Sequence, residues 1–228
     1  MVWVPMTKSL IIRDFSKLRG KIGLFGGSFD PVHRVHVEIA KELLQHGLDS
    51  VIFIPAARNP LKTTTPTPDH HRVAMLELAL CDSESLFISL IEIERGGPRS
   101  FTVDTVTEIN RVVGPAVQLY WIIGSDCIEQ LPQWHDVDMI AAQAPFLTVH
   151  RSQTDELCGL KDLIARLKLS PPVKSALLNN LYWRPGNAVS STKIRDQLSG
   201  LCEVEELSPT VLDYIRKHGL YGTMKHKS

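Results

Sequence analysis

The sequence has no surplus of charge: 25 Lys and Arg are matched by 25 Asp and Glu across 228 residues. That balance argues against a global basic field of the kind that gathers nucleic acid, while leaving room for local phosphate sites. Cysteine is scarce. Cys81, Cys127, Cys158 and Cys202 are scattered, with no CxxC pair, so neither a zinc ribbon nor a disulfide scaffold is indicated and a reducing, cytoplasmic setting is expected. No apolar run reaches the roughly 18 residues that a membrane span needs, so no membrane partner is expected. Internal repeats and low-complexity linkers are also missing. Residues 1–20, MVWVPMTKSLIIRDFSKLRG, are apolar and mildly basic but lack an apolar stretch followed by a small-residue cleavage site. A secretory signal is therefore not expected there. The length suits one domain with a sizeable core, read as residues 21–228 behind an extension over 1–20.

Six segments read as strands: KIGLF (21–25), SVIFIP (50–55), LFISLIEIE (86–94), AVQLYWII (116–123), APFLTVH (144–150) and NLYWRP (180–185). Most are continuous apolar runs, the pattern of strands covered on both faces. Between them lie helical spacings, such as Val35, Ile39 and Leu43, or Val73, Leu76, Ala79 and Leu80. Alternating strands and helices predict an α/β fold, Rossmann-like and doubly wound, with a mostly parallel sheet and helices on both faces. Pro68 and Asp69 suit the start of a helix after the polar stretch KTTTPTPD.

The string GGSFDPVHRVH (26–36) stands at the carboxyl end of the first predicted strand, where open α/β sheets bind ligands. Gly26 and Gly27 permit positive φ and a close approach of ligand to main chain. Asp30 and Pro31 make a turn, and a helix begins near His33, offering free N–H groups to an anion. The string matches neither GxGxxG nor GxxxxGK[ST]. His33 and His36, three apart, fall on one helix face and can donate to phosphate oxygens as charge develops. Zinc is the rival use of two histidines, and the DHH at 69–71 does not supply a clean third ligand. Far along the chain, VSSTKIRDQL (189–198) opens with Ser190, Ser191 and Thr192, good N-cap residues. Lys193 and Arg195 then put cations in a first turn, where the dipole prefers acids. Hydroxyls, free N–H groups and cations at one helix start suit a polyphosphate.

Taken together, the two strings carry a resemblance. GGSFDPVHRVH resembles the GGTFDPxHxGH signature of the nucleotidyltransferase superfamily, and SSTKIR resembles its ISSTxIR signature. FIPAARNPLK (53–62), HRVAMLELAL (71–80), SFTVDTVTEI (100–109), IIGSDCIEQLPQW (122–134) and LSPTVLDYIRKHGLY (207–221) narrow the likeness to the bacterial nicotinate mononucleotide adenylyltransferases, over roughly residues 21–222. Three positions depart from that pattern: Val35 stands where bacterial members have Gly beside the adenine site, Leu61 replaces a histidine, and Phe101 replaces a tyrosine.

The resemblance implies transfer of AMP from ATP to the 5′-phosphate of a pyridine mononucleotide, with Mg²⁺ on the β- and γ-phosphates. It implies ATP contacts from Gly26, Gly27, Ser28, Phe29, His33, His36, Gly124, Asp126, Ser190, Ser191, Thr192 and Arg195. His36, His33, Arg195 and Lys62 take the catalytic roles. Thr102 and Trp134 would bind the mononucleotide, Trp134 by presenting a flat face to the pyridine ring. The sequence does not choose between nicotinate and nicotinamide acceptors, and it leaves self-association open. A sister phosphopantetheine adenylyltransferase or cytidylyltransferase is the nearest alternative. A non-catalytic nucleotide-binding module is the alternative of another class.

Overall fold

The computed structural model describes residues 10–58, 66–97, 99–152, 157–185, 189–199 and 204–223. Among them, six strands form one sheet: β1 (Gly20–Gly27), β2 (Ser50–Pro55), β3 (Leu86–Ile88), β4 (Val117–Gly124), β5 (Phe146–Ser152) and β6 (Leu181–Pro185). Their spatial order is β3-β2-β1-β4-β5-β6, and every neighbouring pair is parallel. The chain works outward from β1 to β3, then returns to build β4 on the other side of β1. The β1–β4 seam is thus the switch point, and the crevice above its carboxyl end is where such a sheet takes a ligand.

Helices cover both faces. On one lie α1 (Arg34–Gln45), α2 (Asp69–Leu80), α8 (Ser191–Ser199) and α9 (Pro209–His218), packed over Phe25, Phe53, Ile122 and Val149. On the other lie α4 (Thr102–Val112), α5 (Val137–Gln143), α6 (Leu157–Arg166) and α7 (Pro171–Asn179), packed over Ile52, Ile54, Trp121 and Ile123. The two-sided cover explains why the central strands read as unbroken apolar runs: Val51 to Ile54 are all fully buried. The expected helical stripe of α1 is buried at Val35, Ile39 and Leu43, and Pro68 is the N-cap of α2.

One expected strand is shorter than its apolar run. Residues 86–94 were expected to be extended, but β3 stops at Ile88 and Ile91–Arg95 form a short helix, α3. The Ser89 hydroxyl accepts the N–H of Ile91 at 3.3 Å and turns the chain. The Ile-Glu-Ile-Glu alternation imitates a strand, yet Ile91 and Glu92 are both buried. Glu92 is tolerated inside because the Thr105 hydroxyl donates to its carboxylate at 2.9 Å. A short apolar run does not distinguish a strand from a buried helical turn. At this edge of the sheet the segment before β1 lies beside β3: Ile88 donates to the Leu10 carbonyl at 2.8 Å, and Ile12 to the Ile88 carbonyl at 2.9 Å. Phe15 and Leu18 follow it into the core.

Candidate active site

β1 ends in Gly26 and Gly27, and neither takes the positive φ that glycine permits. Crowding is what demands glycine. A Cβ on Gly26 would lie 2.3 Å from the Trp121 ring, and one on Gly27 3.0 Å from the Phe29 ring. The left-handed residue is Phe29, with φ 46°. Its ring meets those of Phe25 at 5.7 Å and His36 at 5.2 Å, both edge-on. This aromatic packing holds a conformation that a bulky side chain otherwise avoids.

His33 is the N-cap of α1, one position ahead of the helix rather than on its face. It still meets His36: the rings stack with centroids 3.7 Å apart. The His33 main-chain N–H donates to Nδ1 of His36 at 3.3 Å. With Nδ1 an acceptor, the neutral His36 ring carries its proton on Nε2, as a donor. His33 is buried and His36 half-buried.

The second string arrives on α8. The Ser190 hydroxyl accepts the Lys193 N–H at 3.3 Å and caps the helix. Ser191 Oγ donates to the Pro31 carbonyl at 3.0 Å. Arg195 Nη1 donates to the Asp30 carbonyl at 2.7 Å, and its Nη2 to Thr192 Oγ1 at 3.2 Å. The two motifs, so distant in sequence, are therefore bonded to each other directly.

On the other side of the crevice, Gly124 ends β4 and leads into a 3-10 helix over Ser125–Gln133, with Asp126 in its first turn and Trp134 at its end. The Trp134 ring stands edge-on to Phe146 at 6.4 Å. Phe101 is the N-cap of α4, which Thr102 opens, and its ring lies 5.2 Å from that of His135. A single cavity of about 540 Å³ joins these parts. Gly26, Gly27, Ser28, Phe29, His33, His36, Gly124, Asp126, Thr102, Trp134, Ser190, Ser191, Thr192 and Arg195 all line it. Lys62 and Leu61 lie outside the described residues. Val35, expected beside the adenine site, does not line the cavity; it packs into the core beneath α1.

Several residues escaped the sequence reading. Arg72 is fully buried on α2. It donates to the Ser28 carbonyl at 2.7 Å, the Ala56 carbonyl at 2.8 Å and the Thr67 carbonyl at 3.0 Å, and it pairs with Asp69. One guanidinium thus joins three loops at the cavity, as its planar fork of donors permits. A cation within the stripe of Met75, Leu76 and Leu80 was the available signal. Glu92 and Arg99 also line the cavity. Burial pushes the Glu92 carboxyl above the usual range, opposed by hydrogen bonds from Thr105 and Ser100 and by the charges of Arg95 and Arg72. Arg99 is exposed and has no ion-pair or hydrogen-bond partner among the described residues. Asp30 and Tyr221, bonded to each other at 2.6 Å, complete the group.

Comparisons with known proteins identify the family. The family described as cytidylyltransferase-like matches residues 24–197. The probable nicotinate-nucleotide adenylyltransferase of Moorella thermoacetica is 37% identical over 205 residues, covering 89% of this chain and 92% of its own length. That of Streptococcus pneumoniae serotype 4 is 35% identical over 223 residues, covering 95% and 97%. Among solved structures, the nicotinic acid mononucleotide adenylyltransferase of Plasmodium falciparum in complex with NaAD superposes with a TM-score of 0.67 at 19% identity, over 90% of this chain and 99% of that one. At that identity the likeness speaks for the fold.

Proposed function

The chain belongs to the cytidylyltransferase-like family, within its nicotinate-nucleotide adenylyltransferase branch, and we infer that it moves AMP from ATP to the 5′-phosphate of nicotinate mononucleotide, releasing pyrophosphate. The observation that carries this reading is the single cavity with two unlike ends. One end is built from glycine main chain, two stacked imidazoles, a helix start and Arg195. The other offers Trp134, Phe101 and Thr102. A polyphosphate suits the first, a flat heterocycle the second.

The acceptor phosphate is already an anion, so no general base is needed. The protein must hold two mutually repelling phosphates in line and stabilise the charge that builds as the pyrophosphate leaves. His36 donates from Nε2 at this point, ordered by the His33 N–H on its other nitrogen. His33, Ser190, Ser191, Thr192 and Arg195 bind the β- and γ-phosphates, with Lys62 reaching the same group. Gly26, Gly27, Ser28 and Phe29 approach the phosphates, and Gly124 and Asp126 the nucleoside of ATP. Among the described residues no three His, Cys, Asp or Glu side chains form a metal cage. Mg²⁺ carried on the nucleotide phosphates with water would neutralise charge on the leaving group. Residues 21–228 act in this reading as one catalytic domain behind the 1–20 extension.

Arg99 favours nicotinate over nicotinamide. It lines the same cavity as Arg195 and stands two residues before Phe101, which places it in this reading beside the heterocycle. A ligand with a carboxylate at one end and phosphates at the other matches two separated cations, whereas an amide leaves one unmatched. Pyrophosphate release from ATP, Mg²⁺ and each mononucleotide tests the reading. Turnover with nicotinate mononucleotide preferred is expected. Folded protein that releases none with either acceptor would overturn it.

A further inference from the structure

We propose that Tyr221 is a positioning residue for adenylyl transfer, acting through Asp30 on Arg195 and the phosphate loop. The proposal rests on the reading of that loop as the polyphosphate site. The Tyr221 hydroxyl donates to Oδ1 of Asp30 at 2.6 Å, across 191 residues of sequence. The other carboxylate oxygen accepts the Thr67 N–H at 3.2 Å. Asp30 is buried, so each oxygen depends on its protein donor.

The surroundings of Asp30 show what is at stake. Its own carbonyl holds Arg195, and the next carbonyl, that of Pro31, holds Ser191. A carboxylate is a stronger acceptor for a guanidinium than a carbonyl is, because both groups are then charged. Tyr221 and Thr67 keep the Asp30 carboxylate occupied and leave Arg195 with a carbonyl partner, its charge available to phosphate. Without the phenol, one oxygen of a buried carboxylate loses its donor beside an arginine. The expected rearrangement is an Asp30–Arg195 ion pair, which turns the guanidinium away from the nucleotide.

Two further observations set the contact apart from ordinary packing. Tyr221 has φ 56° and Phe29, next to Asp30, has φ 46°. Bulky residues hold such angles only where surrounding contacts fix them, and such angles cluster at functional sites. The segment before Tyr221 is docked independently of the hydroxyl: Val211 and Ile215 are buried, Tyr214 meets His71 at 2.9 Å, and the Glu206 carbonyl accepts the Arg34 N–H at 2.8 Å. Burial, reinforced by the Asp30 acceptor, pushes the phenol well above its ordinary pKa, so it remains a donor at any working pH.

Tyr221→Phe removes only the hydroxyl. Loss of one hydrogen bond to a charged group predicts a fall in kcat/KM for ATP of about tenfold or more. The mononucleotide KM should stay near wild type, and the melting temperature should fall by only the few degrees that one lost hydrogen bond costs. Asp30→Asn supplies the second measurement, since a neutral amide does not capture Arg195. If Tyr221 acts through Asp30, the double variant loses no more than the worse single variant. Losses that multiply, an ATP kcat/KM unchanged in Tyr221→Phe, or an effect shared equally by the mononucleotide KM and the melting temperature would each overturn the proposal. A wild-type enzyme without turnover would instead overturn the function on which it rests.

Discussion

The two ends of the cavity are built by different means. At the end proposed for phosphate, side chains are fixed by hydrogen bonds to main chain from distant segments: Arg195 to Asp30, Ser191 to Pro31, Arg72 to Ser28 and Ala56. At the end proposed for the heterocycle, the Phe101 ring meets His135 and the Trp134 ring meets Phe146. Charge that develops in a transition state needs donors already aimed, because reorienting them during reaction adds to the barrier. A ring that is bound alike before and during reaction needs only a surface. The contrast predicts that damage at the first end lowers kcat and damage at the second raises KM.

His36→Ala should show the largest effect, a loss in kcat of about a hundredfold or more, as for one preorganised donor. Steady-state kinetics with near-normal kcat in this variant would break the comparison at its stronger end. Trp134→Ala should raise the mononucleotide KM about tenfold with a smaller change in kcat, equivalent to roughly 1.4 kcal/mol of uniform binding. A kcat loss at unchanged KM would mean that the ring aligns the acceptor rather than merely holding it. Arg99→Gln sharpens the same end. It should lower kcat/KM for nicotinate mononucleotide by about two- to fivefold while leaving nicotinamide mononucleotide unchanged, the range of an exposed ion pair. Equal losses for both acceptors would place the guanidinium on their common phosphate.

The smallest effect lies outside the cavity, where α2 meets α9. Burial, with the nearby His70 and His218, holds His71 below the ordinary histidine value. The folded protein therefore prefers the neutral ring. The stabilisation is present above the unfolded-state value and is lost as pH falls through it toward the folded one. His71→Gln should flatten the melting temperature between about pH 7 and pH 5, the ordinary range of histidine titration. An unchanged slope would show that other groups govern acid stability.

Much of this was legible in the sequence because it is local. Continuous apolar runs identified the strands, and GGSFDPVHRVH and SSTKIR each brought part of their residues to the cavity wall. What could not be read depends on neighbours brought by the fold. Gly26 is required by the Trp121 ring, which belongs to another strand. His33 is a cap rather than a helical residue, a difference of one position that spacing does not resolve. The run at 86–94 alternates like a strand but turns at Ser89. Arg72 was visible only as a cation in an apolar stripe, and nothing near Tyr221 in sequence announces Asp30.

That last contact bears on the order in which the protein is made. Asp30 leaves the ribosome early, whereas its phenolic partner follows 191 residues later. The last of the six described strands ends at Pro185, so the sheet can pair while the loop above it still lacks its last donor. Synthesis thus completes the strands before the loop gains that donor, and a product cut short before residue 221 lacks the tie proposed to set Arg195.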